Sequence, residues 1–136
     1  MRRYAPLTFV LLLIAVSAIP AQQQQATQEA GLACAEAVLT TGVQDRAPVD
    51  NVTTVAADVG RVFLFTRITG AEGAIQVEHV WYKGDVEMGR VPLNVAGTNW
   101  RTWSSKNIEQ IWTGDWRVDV VGPDGAVLES VSFTVG

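Results

Sequence analysis

The chain has one cysteine and one histidine in 136 residues. A lone Cys34 forms no internal disulfide, so stability is expected to come from a packed core, with the thiol buried and free. One histidine and one distant cysteine are too few for a metal site of the usual kind, which needs several ligands at close spacing. Asp115, Asp119 and Asp124 are too scattered for a calcium loop, and no cofactor is expected. Positive charge is also scarce, with ten Lys and Arg against fourteen Asp and Glu. No basic stripe is present, which argues against a nucleic-acid or anionic-membrane partner. Beyond Val16 there is no long apolar run, and no stretch holds helical spacing long enough to compete with strand alternation.

The N-terminus is different. "MRRYAPLTFVLLLIAVSAIPAQQQQ" sets Arg2 and Arg3 ahead of an apolar run from Leu7 to Val16, followed by small residues at Ala18 and Ala21. This is the pattern of a secretory signal peptide, and its apolar run is far shorter than the roughly 20 residues of a membrane-spanning helix. Cleavage is expected after Ala21, with Ala18 as the alternative. Removing residues 1–21 takes away two of the basic residues and none of the acidic ones, leaving 115 residues of net charge −6. That is one domain, expected in the periplasm or outside the cell and without a membrane span. Lipidation at Cys34 is not expected, because polar sequence separates it from the apolar run. Residues 22–31, rich in Gln, read as a flexible tether, and residues 32–136 as the folded domain.

Within the domain, short runs rich in Val, Thr, Phe, Trp and Tyr alternate with Gly, Pro and Asp, which predicts an all-β fold. Seven strands are expected, at 33–42, 61–69, 75–83, 86–95, 99–106, 115–121 and 126–135. Gly84 in "KGD" and Pro123 with Gly125 in "GPDG" mark hairpins. Residues 43–60, with Pro48 inside, read as a crossover between sheets. The count and spacing predict an immunoglobulin-like β-sandwich. Alternation sends Trp116, Val118 and Val120 to one side of their strand, Val131, Phe133 and Val135 to one side of the last, and Val77, His79 and Trp81 inward together.

Four segments, "RVFLFTRITGA", "VEHVWYKGD", "VPLNVAGTNWRTWSSK" and "GDWRVDVVGPDG", carry a resemblance. Its specificity lies in the combination of His79, Trp81 and Tyr82, the run Trp100 to Lys106, and Gly114, Trp116, Arg117 and Val118. On these the chain, from about Cys34 to Val135, resembles the bacterial family catalogued as domain of unknown function 2914. The resemblance implies an exported or envelope-associated β-sandwich, and it transfers no catalytic residue.

Four of the five tryptophans lie between residues 100 and 116, more than a core of this size readily absorbs. Trp100 and Trp103 have opposite parity, so one faces away from the core, and Trp103, beside Arg101 and Ser105, is expected to be that one. An exposed tryptophan flanked by arginine suits a protein-binding or sugar-stacking surface, whereas a tryptophan covered by a loop or an arginine stem has no such role. The expected partner-binding residues are Arg101, Trp103, Ser105 and Lys106, with contributions from Tyr82 and Arg67, and the expected partner is an envelope protein or a glycan. A Ser104–Lys106 dyad lacks both a desolvated lysine and a nucleophile turn, and His79 reads as a buried histidine bonded to a hydroxyl or carbonyl. The protein is therefore expected not to be an enzyme. Its rivals are a purely structural domain and a small hydrolase or isomerase using Ser104, Lys106 or His79.

Overall fold

The computed structural model describes residues 31–136. The predicted signal peptide, and all but the last residue of the tether, lie outside the described residues. Ten strands follow in order: β1 (Ala33–Thr40), β2 (Val43–Gln44), β3 (Ala47–Pro48), β4 (Thr54–Val55), β5 (Arg61–Thr69), β6 (Ile75–Lys83), β7 (Val86–Val95), β8 (Asn99–Asn107), β9 (Gly114–Val121) and β10 (Val127–Val135). The seven long ones are the seven expected from alternation. The three extra strands are two residues each and all fall between residues 43 and 60. Two residues carry no periodicity, so alternation cannot reveal them.

Two sheets face each other. One has the order β1-β5-β8, the other β4-β10-β9-β6-β7, and β2 pairs with β3 as a small separate ribbon. Long strands one, two and five on one sheet, with three, six and seven on the other, is the immunoglobulin-like arrangement. The fourth long strand, β7, stays with β6 through the expected hairpin and so widens the second sheet. Gly84 makes that turn at φ 56° and donates its N–H to Asp115 O at 2.9 Å. A side chain there would be strained by the left-handed backbone. The β9–β10 hairpin is also as expected, with Gly125 at φ 85°.

The expected crossover at residues 43–60 is corrected. The strands it joins, β1 and β5, are antiparallel neighbours in one sheet, paired from Ala33↔Thr69 to Thr40↔Phe63. The connection leaves that sheet, lays Thr54 and Val55 parallel against Thr134 and Val135 of β10, and returns. Its start is held by Asp50, which accepts from Thr40 Oγ1 at 2.6 Å and from Thr41 N at 2.8 Å. These hydrogen bonds to the charged form hold the Asp50 carboxyl below the usual carboxylate range.

The core lies between the sheets, with Leu39, Val62, Leu64 and Ile68 from one side and Val77, Trp81, Val118, Val120, Phe133 and Val135 from the other. Trp116 stacks on Phe133 with centroids 5.9 Å apart, and Trp81 meets the same ring edge-on at 6.3 Å. Trp116 Nε1–H donates to Trp112 O at 3.0 Å, whereas the buried Trp81 Nε1 has no partner among the described residues. On the outer face of the five-stranded sheet, Arg90 bridges Glu78 at 3.2 Å and Glu87 at 2.8 Å, and Asp119 accepts from Ser130 Oγ at 2.6 Å and Arg117 Nε at 3.0 Å. Cys34 is free and half-buried, and burial pushes its thiol up to about 11, so it stays protonated near neutral pH. Among the described residues, no helix is long and apolar enough to cross a membrane.

Candidate functional site

Strand β8 carries "NWRTWSSKN", and its geometry follows from two hydrogen bonds at its ends. Gly70 N–H donates to Thr98 O at 3.0 Å, and Ile108 N–H donates to Gly60 O at 2.9 Å. Both bonds join even-numbered β8-side residues to β5, and the register runs unbroken from Asn99↔Thr69 to Asn107↔Arg61. Antiparallel ladders alternate, so the even residues bond β5 while the N–H and C=O of Asn99, Arg101, Trp103, Ser105 and Asn107 point away from it. Among the described residues no strand takes them, because β8 is the last strand of its sheet.

Side-chain parity places the same odd residues on the outer face. Trp103 points outward as expected and stacks on Phe65 with centroids 6.3 Å apart and planes 17° from parallel. Phe65 is only 2% exposed although it too faces away from the inter-sheet core. The β2–β3 ribbon supplies part of the cover, since Arg101 Nη1 approaches Arg46 O at its tip to 3.5 Å. At that tip Asp45 (φ 52°) and Arg46 (φ 60°) both hold the left-handed backbone that a two-residue hairpin loop requires; aspartate tolerates it, whereas for Arg46 it costs roughly 1–2 kcal/mol. Trp103 is therefore half-buried rather than open.

Arg67 lies beside Arg101 in the register, its Nε 3.6 Å from Glu36 Oε2 and its Nη1 donating to Asn99 Oδ1 at 3.4 Å. Ser105 is exposed on the same face. Two expected members fall elsewhere. Lys106 is an even residue, so it turns to the inter-sheet side, where its Nζ sits 5.7 Å from the Trp112 ring centroid and beside Gly89 of β7. Tyr82 lies on the outer face of the other sheet, with the Arg117 guanidinium 4.5 Å over its ring, because β6 belongs to the five-stranded sheet. An open cleft of about 370 Å³ follows the free edge of β8, lined by Arg46, Asn94, Trp100, Arg101, Thr102 and Trp103. Arg46 and Asn94 carry no signal in the sequence. Phe65 does: "VFLF" sets apolar residues on both faces of β5, which marks a strand covered on both sides.

His79 is fully buried between the sheets. Its Nε2 lies 3.2 Å from Thr66 Oγ1, its Nδ1 lies 2.6 Å from Ser104 Oγ, and Thr66 Oγ1–H donates to Thr102 O at 2.9 Å. That last bond uses the only Thr66 hydroxyl proton, so Thr66 accepts from Nε2–H, and Nδ1 in turn accepts from Ser104 Oγ–H. The chain Ser104→His79→Thr66→Thr102 is fully satisfied with a neutral imidazole, and burial pushes the imidazole down to about 4. Ser104 and His79 have the contact of a nucleophile and base, Ser104 is 5% exposed, and the pair ties β6 to β5 and β8.

Fold and site together define an immunoglobulin-like β-sandwich with an aromatic and cationic free edge. Residues 75–135 match the model of the family described as "protein of unknown function (DUF2914)". The resemblance drawn from the motifs is borne out over β6 to β10, and "RVFLFTRITGA" precedes the matched stretch. No curated protein matches the chain.

Proposed function

We propose that this protein is a non-catalytic binding module of the bacterial envelope that recognises a protein or a glycan through the outer face and free edge of β8. One observation carries the reading. Arg101 and Trp103 stand side by side on a free edge, with the strained Asp45–Arg46 tip held against them. Strain of that kind persists where the surroundings impose it and concentrates at functional sites. Tryptophan and arginine are the residues that dominate interface energetics. The signal-peptide pattern of residues 1–21 supports export. A purely structural role is the second reading, favoured by the stacking of Trp103 on Phe65.

The test is a cross-linked pull-down from envelope extract with the tagged protein and with an Arg101→Ala/Trp103→Ala variant that still folds, alongside a glycan array. A ligand held by the parent and lost by the variant supports recognition at β8. Equal retention by both moves the interface elsewhere, and the absence of any ligand in either format favours the structural role.

A further inference from the structure

We propose that the free edge of β8 receives an extended acidic peptide as an added strand, an inference that rests on reading this surface as a recognition site. Exposed sheet edges invite pairing with other chains, and proteins normally blunt them with short strands, bulges, proline or a covering element. The other edges here are blunted in those ways. The β1 register breaks between Cys34 and Glu36. The β7 strand breaks register opposite Trp81 and Tyr82 and carries Gly89 and Pro92. The β4 strand is two residues long and covers β10 only at Thr134 and Val135, and the rest of the β10 edge breaks register between Val127 and Glu129. Among the described residues, only β8 is an edge of nine residues in unbroken register without glycine or proline, approached by the β2–β3 tip at Arg101 and by Gly89 of β7 at Lys106. Its five outward-facing residues present ten backbone groups with no strand partner among the described residues, at the spacing an incoming strand needs.

The charges beside this edge choose the partner. Among the described residues, Arg67, Arg90 and Arg117 are ion-paired, with Glu36, with Glu78 and Glu87, and with Asp119. Arg46 and Arg101 flank the cleft, Arg61 binds Asn107 Oδ1 at the end of β8, and Lys106 rests over Trp112; these are four of the five cations without a carboxylate partner among the described residues, the fifth being Lys83 at the end of β6 on the other sheet. Asp45, although adjacent to Arg46 in the turn, is bridged to neither Arg46 nor Arg101 among the described residues. Uncompensated cations gathered at one edge of an acidic protein suit a partner of opposite charge. A strand laid along the cleft would set alternate side chains beside Arg101 and Trp103, so carboxylates at alternate positions meet the cation and an apolar or aromatic residue meets the indole.

The experiment selects binders to the full chain from a displayed library of random twelve-residue peptides and measures their affinity by titration. The expected winners lack proline, carry alternate Asp or Glu, and bind at least tenfold more weakly to Arg46→Glu/Arg101→Glu. Ser105→Pro removes an outward N–H at an exposed edge position where proline is tolerated, and it is expected to weaken binding at least tenfold. Should that variant fail to fold, the same peptides N-methylated at alternate amides are tested on the parent protein, with one of the two methylation registers expected to abolish binding. Peptides indifferent to Ser105→Pro and to both methylation registers, yet lost with Trp103→Ala, overturn strand addition and keep the recognition surface. Winners without acidic residues, an edge occupied by a second copy in sedimentation, or no selected peptide beside a bound glycan each overturn the acidic-strand proposal. Peptides indifferent to every β8 variant overturn the surface itself.

Discussion

Acidification should loosen this sandwich through one residue. His79 is neutral in the folded protein and bonded on both nitrogens, with Ser104 donating to Nδ1 and Nε2–H donating to Thr66. A second ring proton on Nδ1 would face the Ser104 hydroxyl proton and would require that hydroxyl to find a new acceptor in the core. Burial holds the folded group at about 4 against an ordinary 6.5, so the unfolded chain binds the proton first. Stability therefore rises with pH across this window, is complete above about 6.5, and is lost as pH falls towards 4. A shift from 6.5 to about 4 corresponds to about 3 kcal/mol in full, of which about 2 kcal/mol is gone by pH 5. Urea unfolding at pH 7.5, 6.5, 5.5 and 4.5 measures it, with His79→Gln as the partner that cannot titrate. The wild type should lose stability between pH 6.5 and 4.5 while the variant stays level there. Asp50 does not obscure the window, since its carboxyl is depressed and its contribution is lost only below the ordinary 3.8. Equal slopes for wild type and variant refute the reasoning.

Other expectations are independent of that titration. Ser104→Ala leaves Nδ1 of a buried imidazole without its donor and should cost about 1–3 kcal/mol in urea unfolding at pH 7.5. Trp116→Ala removes a ring packed on Phe133 and Trp112 and should cost about 3–5 kcal/mol, against roughly 0.5–1.5 kcal/mol for the half-exposed pair lost in Trp103→Ala. A similar cost for the two would show that Trp103 belongs to the core. Arg46→Gly relieves left-handed backbone and should raise the melting temperature, a gain of up to about 1 kcal/mol, while weakening whatever binds at β8. A lower melting temperature would mean that the Arg46 side chain stabilises the tip.

The long strands were legible because alternation of apolar residues survives in each of them, as in Trp116, Val118 and Val120 against Arg117, and because Gly84 and Gly125 sit where the backbone turns left-handed. Parity along β8 also separated Trp103 from Trp100 correctly. The failures share a cause. Parity assigns a side of a strand but says nothing about which sheet the strand joins, so Tyr82 was grouped with a surface on the far side of the sandwich. Lys106 was grouped with Ser105 although the two have opposite parity, and its stem runs towards Trp112. The path of residues 43–60 depends on long-range pairings, Thr54 and Val55 with β10 and Arg101 with the Arg46 carbonyl, which no local pattern encodes.

Amide hydrogen exchange along β8, measured by NMR with and without the most enriched library peptide, tests the recognition edge most directly. In the free protein, Arg101, Trp103 and Ser105 should exchange fast and Trp100, Thr102 and Ser104 slowly, and the peptide should then protect the first three. Unchanged exchange at those three, with new protection appearing around Tyr82 and Arg117 instead, would contradict the account and place recognition on the opposite sheet.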